Sequence, residues 1–585
     1  MFIVSLTSIH PPLNDAVHNR LSFIEREQRC LPPVTLPTIM LDNLNYNVVL
    51  NAIEYLNVID SGRLSATSKR YLYLVSEYRR LRGPEVVVSS SWDASNHSHR
   101  SAKEVVSDAI RRMQKPPNMV LDFSTIKSMR EGALSSVLEE ALPPNAVVLG
   151  ACARNIQVNL GRKDEEPVES SSHCSVMFAS FNDADIRPFN FERSEFLGYN
   201  GETEVRRAFE EFADNLLLDE DQMHWKSIIV YSAGQNARPI LIHDFVEIVQ
   251  SKLPNISIVG GICGGGYVSH RSRRISSCVD LETKSIKQLR ATIRDIHGSE
   301  SEMNSAVEKS ELVDLAFQLN VQSSPVDNVC DGVYGVVLGG SVPVRSVVSR
   351  GVMSIPTSPY VVSSSELVPF HRNSGGIHMI YNFANRDTVM DVLTRQEYTK
   401  ANFIGVRRPD EDGFELIDMD WVNYLEHQAL MVPSDGSSIQ DNSFVGAEVD
   451  FFYLDGEACC QDVDRTLSLL RDQTQGEEIL GAIMFSCSGR GPRQGHLIRE
   501  DMMDATRFAR AFPDVPCLGF YAGGEIGPKP LVGNQNVFRK GRAAVQGFTA
   551  VFSLFIVPVV KRREYEMDDG PDAVQAFMEE RLTRS

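Results

Sequence analysis

One order of events occurs at three places in this chain: an apolar strand, a helix, a proline, a second apolar strand and a glycine turn. The first passes through Leu142-Pro143-Pro144-Asn145 and Val147, Val148 and Leu149 to Gly150, Ala151 and Cys152. The second passes through Leu253-Pro254-Asn255 to Ile258, Val259, Gly260, Gly261, Ile262 and Cys263. The third passes through Phe512-Pro513-Asp514 to Cys517, Leu518, Gly519, Phe520 and Tyr521. In the last two copies the preceding strands also match, Ile228–Tyr231 leading to Ser232-Ala233-Gly234 and Ile483–Ser486 leading to Cys487-Ser488-Gly489. The intervening helices carry Ile242, Phe245, Val246 and Val249, or Ala505, Phe508, Ala509 and Phe512, on one face. The pattern predicts an α/β module of sheets flanked by helices, with α+β left open, built from two related halves.

Glycine turns at the ends of parallel strands are where open α/β sheets place ligands, because backbone can approach closely there and amides are free. The candidate pocket residues are therefore Gly150, Cys152, Ser232, Gly234, Gly260, Gly261, Cys263, Ser486, Cys487, Arg490, Gly519, Tyr521, Gly523 and Glu525. For any single glycine, tight turning alone is the alternative. Arg490 and Glu525 are of opposite charge and suit the carboxylate and ammonium of an amino-acid-like molecule. Gly261-Ile262-Cys263-Gly264-Gly265 also fits a cysteine nucleophile elbow, with His243 or His270 as the base it would need. Cys487, if it lies beside Arg490, would have a lowered pKa and raised reactivity, the alternative being a buried inert cysteine.

Local signals place individual elements. Ser101 and Glu104 form a capping box, after which Val106, Ala109, Ile110 and Met113 line one helical face. Val205, Ala208, Phe209, Phe212, Ala213 and Leu216 form a second stripe. Polar stretches at 162–173, 299–327 and 433–443 read as surface excursions. Phe548–Val560 is apolar but too short for a bilayer span and holds Pro558, so it reads as a buried terminal strand.

The 42% hydrophobic and 23% charged composition is that of a globular chain, and a formal net charge of -19 disfavours a nucleic-acid partner. Met1–His10 lacks a positive lead and a cleavage site, and no membrane association is expected. The expectation is a protein of the cytoplasm, the nucleus or both. Ten cysteines without a CxxC pair call for no metal, and nothing in the residues calls for a cofactor.

Ahead of the α/β region, Val49, Ile53 and Leu56 share a helical face, widened by Val48 and Ala52. Asp60 caps a second short helix with Leu64 and Thr67, and a third holds Tyr71, Leu72 and Val75. Three short helices in so few residues bury too little apolar surface to offset chain entropy, so the segment needs a partner. Gly83-Pro84 closes it.

The run Leu41-Asp42-Asn43-Leu44, Val48–Ile53, Tyr55-Leu56, Asp60, Leu64, Thr67-Ser68-Lys69 and Tyr71 resembles the F-box motif, with Asp42 and Tyr71 where that family has proline and tryptophan. The region from Glu85 to Pro558 resembles the FIST domain, on Val259-Gly260-Gly261, Phe485–Gly491 and Pro516–Ile526. These resemblances divide the chain into a flexible lead-in (1–34), an F-box (35–82), a FIST N-terminal portion (84–350, polar insertion about 299–327), a C-terminal portion (351–558) and a charged tail (559–585). The F-box resemblance implies docking on a Skp-type adaptor, and through it on a cullin and a RING subunit, with Leu41, Leu44, Val48, Ile53, Leu56, Leu64, Lys69 and Tyr71 facing the adaptor. The chain would then be the substrate-recognition subunit of a ubiquitin ligase, with no bond-making chemistry of its own, holding a protein target for degradation. The FIST resemblance implies sensing of a small ligand such as an amino acid, and a cysteine hydrolase is the third alternative.

Overall fold

The computed structural model describes residues 83–93, 98–125, 133–143, 146–153, 155–161, 167–170, 174–181, 184–192, 201–233, 240–270, 327–329, 332–340, 342, 344–355, 359–368, 377–395, 400–409, 412–418, 429–433, 444–491, 498–500, 503–533 and 543–558. The F-box segment with all eight adaptor-facing residues, the lead-in, the tail, Gly234 and nearly all of the polar insertion lie outside these residues.

The strand–helix unit is used three times, once per sheet, and the described chain is a mixed α/β structure of three repeats instead of two halves. The first repeat runs β1 (Glu85–Ser90), α1 (Ala102–Arg112), β2 (Met119–Thr125), α2 (Ala133–Ala141), β3 (Val147–Ala153), β4 (Ile156–Asn159), β5 (Val168–Ser170) and β6 (Cys174–Ser180). The second runs β7 (Ala184–Glu192), α3 (Gly201–Met223), β8 (Ser227–Ala233), α4 (Ile240–Lys252), β9 (Ser257–Cys263), β10 (Gly265–His270), β11 (Asp327–Val329) and β12 (Gly332–Gly340). The third begins with β13 (Val344–Ser349) and, after an insertion, continues as α5 (Gly456–Gln473), β14 (Glu477–Cys487), α6 (Met503–Ala511), β15 (Cys517–Ala522), β16 (Glu525–Pro528), β17 (Ala543–Gln546) and β18 (Ala550–Pro558).

The three sheets have the same plan. Their orders are β1-β6-β2-β3-β10-β11, β7-β12-β8-β9-β16-β17 and β13-β18-β14-β15-β4-β5. In each, the two strands joined by the crossover helix are parallel and every other pairing is antiparallel. The strand that follows the second parallel strand never stays at home: β10 completes the first sheet, β16 the second and β4 the third. A two-half reading missed this because the first copy departs most in sequence, whereas its hydrogen bonding is the same.

The turn after the crossover helix shows how the sequence sets the repeat. Leu142, Leu253 and Phe512 each donate their N–H to the helix four residues back, and Ala146, Ile256 and Val515 donate to a carbonyl three residues back. The prolines at 143, 254 and 513 end the helix just where this turn must form. Ser101 and Glu104 make the expected reciprocal cap, and Val205, Phe209, Ala213 and Leu216 are buried on the outer face of the second sheet.

Each sheet therefore has two buried faces. Its outer face packs on its own two helices, giving three separate cores, around Val106 and Phe178, around Phe209 and Phe245, and around Phe508 and Phe552. The inner faces of all three sheets meet in one central core. At its middle stand the equivalent residues Phe123, Tyr231 and Phe485, which pair across their parallel ladders with Ala151, Gly261 and Phe520. Phe520 packs edge-on to Phe123 at 5.0 Å and to Phe485 at 5.4 Å. One extra ring fills the axis, and a side chain at Gly261 would crowd Ala522 at 2.9 Å.

The insertion between β13 and α5 makes a further sheet, ordered 430–433, 377–383, 360–368, 448–454, 403–407 and 414–418, with 352–354 also paired to 448–454 and 531–532 added from beyond β16, around Tyr360, Phe383, Ile404 and Phe451. No helix among the described residues is long and apolar enough to cross a membrane.

Candidate site at the junction of the second and third repeats

Because each repeat lends a strand to its neighbour, the end of every second parallel strand lies at a junction between repeats. The three junctions share a register, so their residues correspond one to one. Gly266 on β10 pairs with Ala151, Glu525 on β16 with Gly261, and Ile156 on β4 with Phe520. The same backbone position thus carries glycine, glutamate and isoleucine.

Glu525 is fully buried. Its Oε2 accepts hydrogen bonds from the Thr549 backbone N–H at 3.1 Å and hydroxyl at 2.9 Å. The Cys487 thiol lies close enough to the carboxylate to favour its charged form weakly, while Oε1 has no partner in hydrogen-bond geometry among the described residues. Burial pushes the carboxyl up to about 8, against the lowering effects of Thr549, Arg490 and Cys487. Neighbouring backbone keeps the end of the strands open: Cys487, Ser488 and Gly489 are half-buried and Gly523 and Gly264 are exposed. Phe548, which follows Gly547 and precedes Thr549, holds φ +59°, a conformation costly for an aromatic residue and of the kind that gathers at functional sites.

Other candidate residues take different roles. Arg490 is not available to a ligand: its side chain is 0% exposed, it pairs with Asp504 at 2.7 Å, and it donates to the carbonyls of Ser349, Arg350 and Phe548. It ties the turn after β14 to β13 and to the start of α6. Cys487 takes the inert alternative. Burial first, and then the Glu525 charge, push its thiol up to about 12, outweighing Arg490, so it is a poor nucleophile as it stands.

Cys263 is no elbow nucleophile. Its thiol is buried among the carbonyls of Ser232 (3.5 Å) and Gly265 (3.3 Å) and the Tyr334 hydroxyl (3.4 Å), and burial raises its pKa. An elbow turns from strand to helix, whereas Cys263 turns from β9 straight into β10. His243 lies on α4, on the far side of the second sheet from the central core that holds Cys263. His270 closes β10 at its other end, about 17 Å of strand from Gly265.

Gly150, Gly260 and Gly519 are equivalent positions, each facing an exchanged strand, and their backbones are engaged in sheet pairing instead of offering free amides. A side chain at Gly150 would meet the Tyr267 ring, and one at Gly519 would meet Met484. Tyr267 in turn donates to Asp122 at 2.5 Å, pinning the exchanged strand, and burial pushes Asp122 up to about 6. Cys152 is buried opposite Gly265. Ser232 and Ser486 are equivalent and buried, and the Ser486 hydroxyl has no partner among the described residues. Tyr521 is buried with its ring against Gly491. Of the sequence candidates the fold gathers Gly261, Cys487, Gly523 and Glu525 at one junction. Sequence reasoning missed Thr549 and Asp504, whose roles depend on pairings made only in the folded chain.

The fold and site define a three-repeat α/β protein with one buried, incompletely paired carboxylate at an exchanged-strand junction. Within it, residues 421–528, which span most of the third repeat's strand–helix unit and Glu525, match the FIST C domain. An uncharacterized protein of Mycobacterium bovis is 33% identical over 125 residues, 21% of this chain and 29% of that protein. An uncharacterized protein of Mycobacterium tuberculosis is 31% identical over 112 residues, 19% of this chain and 26% of that protein. The chain thus spans less than a third of the length of these curated relatives. A crystal structure of chorismatase aligns over 81% of this chain and 98% of that one, at 7% identity and a TM-score of 0.25, too low to equate the folds. Among the described residues no group of three His, Cys, Asp or Glu side chains is placed to hold a metal ion.

Proposed function

We propose that the FIST-type module binds a small ligand at the junction of the second and third repeats, with Glu525 as the recognising group. One observation carries this reading. Two of three equivalent positions are glycine and isoleucine, so the fold does not require a carboxylate there, yet burying one costs several kcal/mol unless it is fully paired. A group kept at such a cost, with one oxygen left over, is explained by what it binds. Thermal-shift screening against small polar compounds should give a hit whose shift is lost in Glu525→Gln. Saturation at 100 times Kd would add about 2.7 kcal/mol to stability. A hit unchanged in Glu525→Gln would move the site elsewhere.

The residue pattern from Leu41 to Tyr71 supports a second, compatible role: an F-box that docks the module on a Skp-type adaptor, making the chain a receptor of a cullin-based ubiquitin ligase in cytoplasm or nucleus. The FIST-type module then presents a protein target, and its ligand tunes that presentation. Co-purification with the adaptor should be lost on Leu44→Asp with Leu56→Asp. Retention in the double variant would remove the F-box reading.

A further inference from the structure

We propose that the ligand held at Glu525 carries a primary ammonium group, which enters in exchange for a proton on the carboxyl. The inference rests on the small-ligand reading above and narrows its chemistry.

Among the described residues, few charged or titratable groups face Glu525. From β14 comes Cys487, from the turn after it Arg490, and from the segment before β18 comes Thr549. From β9 the facing residue is Gly261, which has no side chain to offer. Arg490 is already matched by Asp504 within 2.7 Å, both side chains being almost wholly buried. Among the described residues the ionised Glu525 therefore has no cation of its own.

Hydrogen bonding points the same way. The Thr549 N–H and O–H both donate to Oε2, which suits the carbonyl oxygen of the acid in the free protein and a carboxylate oxygen once an ammonium has replaced the proton. Among the described residues no donor meets hydrogen-bond geometry at Oε1, and the Cys487 thiol beside the carboxylate is a weak donor at best. An ammonium N–H supplies the donor and the charge together, whereas a ligand carboxylate would meet no free cation among the described residues, Arg490 being enclosed by Asp504. The amino-acid zwitterion is thereby disfavoured against a simple amine. Burial is the other selective feature: Glu525 is fully buried while the Cys487–Gly489 turn is half-buried and Gly523 exposed, which favours an ammonium on a slim alkyl chain over a bulky one.

The exchange has a definite proton balance. With Glu525 raised to about 8, the free protein carries the carboxyl proton at pH 7, and binding of an ammonium releases it to solvent. Apparent affinity then rises about tenfold per pH unit up to about pH 8 and flattens above it, until the amine itself deprotonates.

The test is a matched series on the full chain: n-butylamine and putrescine against n-butanol, butyrate and butyramide at equal millimolar concentration, read by thermal shift between pH 6 and 9. Expected are shifts from the amines alone, growing towards pH 8, and absent in Glu525→Gln. Proton release on amine binding, read in two buffers of different ionisation enthalpy, gives a check that needs no variant. Shifts from butyrate or butyramide and not the amines would overturn the amine assignment and leave the small-ligand reading standing. Amine shifts that ignore pH, or that persist in Glu525→Gln, would overturn it too. Silence from every compound, together with no hit in the wider screen, would sink both readings.

Discussion

At the junction of the first and second repeats, Gly266 stands near the start of β10, and the Tyr334 hydroxyl occupies the space a side chain there would need. That hydroxyl donates to the Gly150 carbonyl at 2.9 Å, and the junction closes with its polar groups turned on one another. At the junction of the second and third repeats, Glu525 takes the Gly266 position and Val551 the Tyr334 position, and a carboxylate oxygen is left over. The backbones correspond residue for residue. Glu525 and Val551 in place of Gly266 and Tyr334 head the substitutions that separate a structural junction from a candidate binding junction, so strand exchange builds the location and local substitution gives it chemistry.

The sharpest way to break this comparison is Gly266→Ala. Its Cβ would overlap the Tyr334 hydroxyl and the Gly150 carbonyl, and the backbone there has no freedom to retreat. Loss of cooperative melting is expected, corresponding to more than about 4 kcal/mol, the range of severe core disruption. A variant that melts like the parent would show that the first junction is looser than described.

Next in size is the pH dependence removed by Glu525→Gln. The folded carboxyl is raised from 4.5 to about 8, so the folded state holds the proton more tightly than the unfolded state. Stability from this group is fully present below pH 4.5 and is lost as pH rises to about 8. Relative to the parent, Glu525→Gln should gain stability across that window, by roughly 4 kcal/mol at its upper end, as urea melts at several pH values would record. Parallel curves for the two proteins would mean that Glu525 is ordinarily solvated.

The smallest effect is expected from Tyr334→Phe, which deletes the donor to Gly150 and leaves the ring in place. A loss of about 1 to 2 kcal/mol is expected, independent of pH between 5 and 8. A pH-dependent loss would mean that the two junctions are electrostatically coupled.

The elements of this fold were legible because their signals are local. The capping box at Ser101, the stripe from Val205 to Leu216 and the proline turns at 143, 254 and 513 each depend on residues within a few positions of one another. Strand exchange was not legible, since it joins residues as far apart as Asn159 and Val515, which are hydrogen-bonded at 3.1 Å across 356 positions. The site shows the same division. Glu525, Cys487 and Gly523 stood out as polar or small residues at strand ends, and the fold brings them together. Arg490 stood out equally, but sequence could not show that Asp504, at the start of the next helix, would enclose it. Thr549 gave no signal at all, because its importance comes from lying beside β14 in space.

Linear arrays of repeats have two ends, and from those ends they fray and must be capped. Here the first sheet is completed by the second repeat, the second by the third and the third by the first. The described chain is a closed ring in which no repeat is terminal. Withdrawing any one of them strips a strand from a neighbour and opens a sheet edge, so partial unfolding has no inexpensive starting point. Cutting the gene at a repeat boundary would yield no smaller working unit, only a sheet with a missing strand seeking one from another chain.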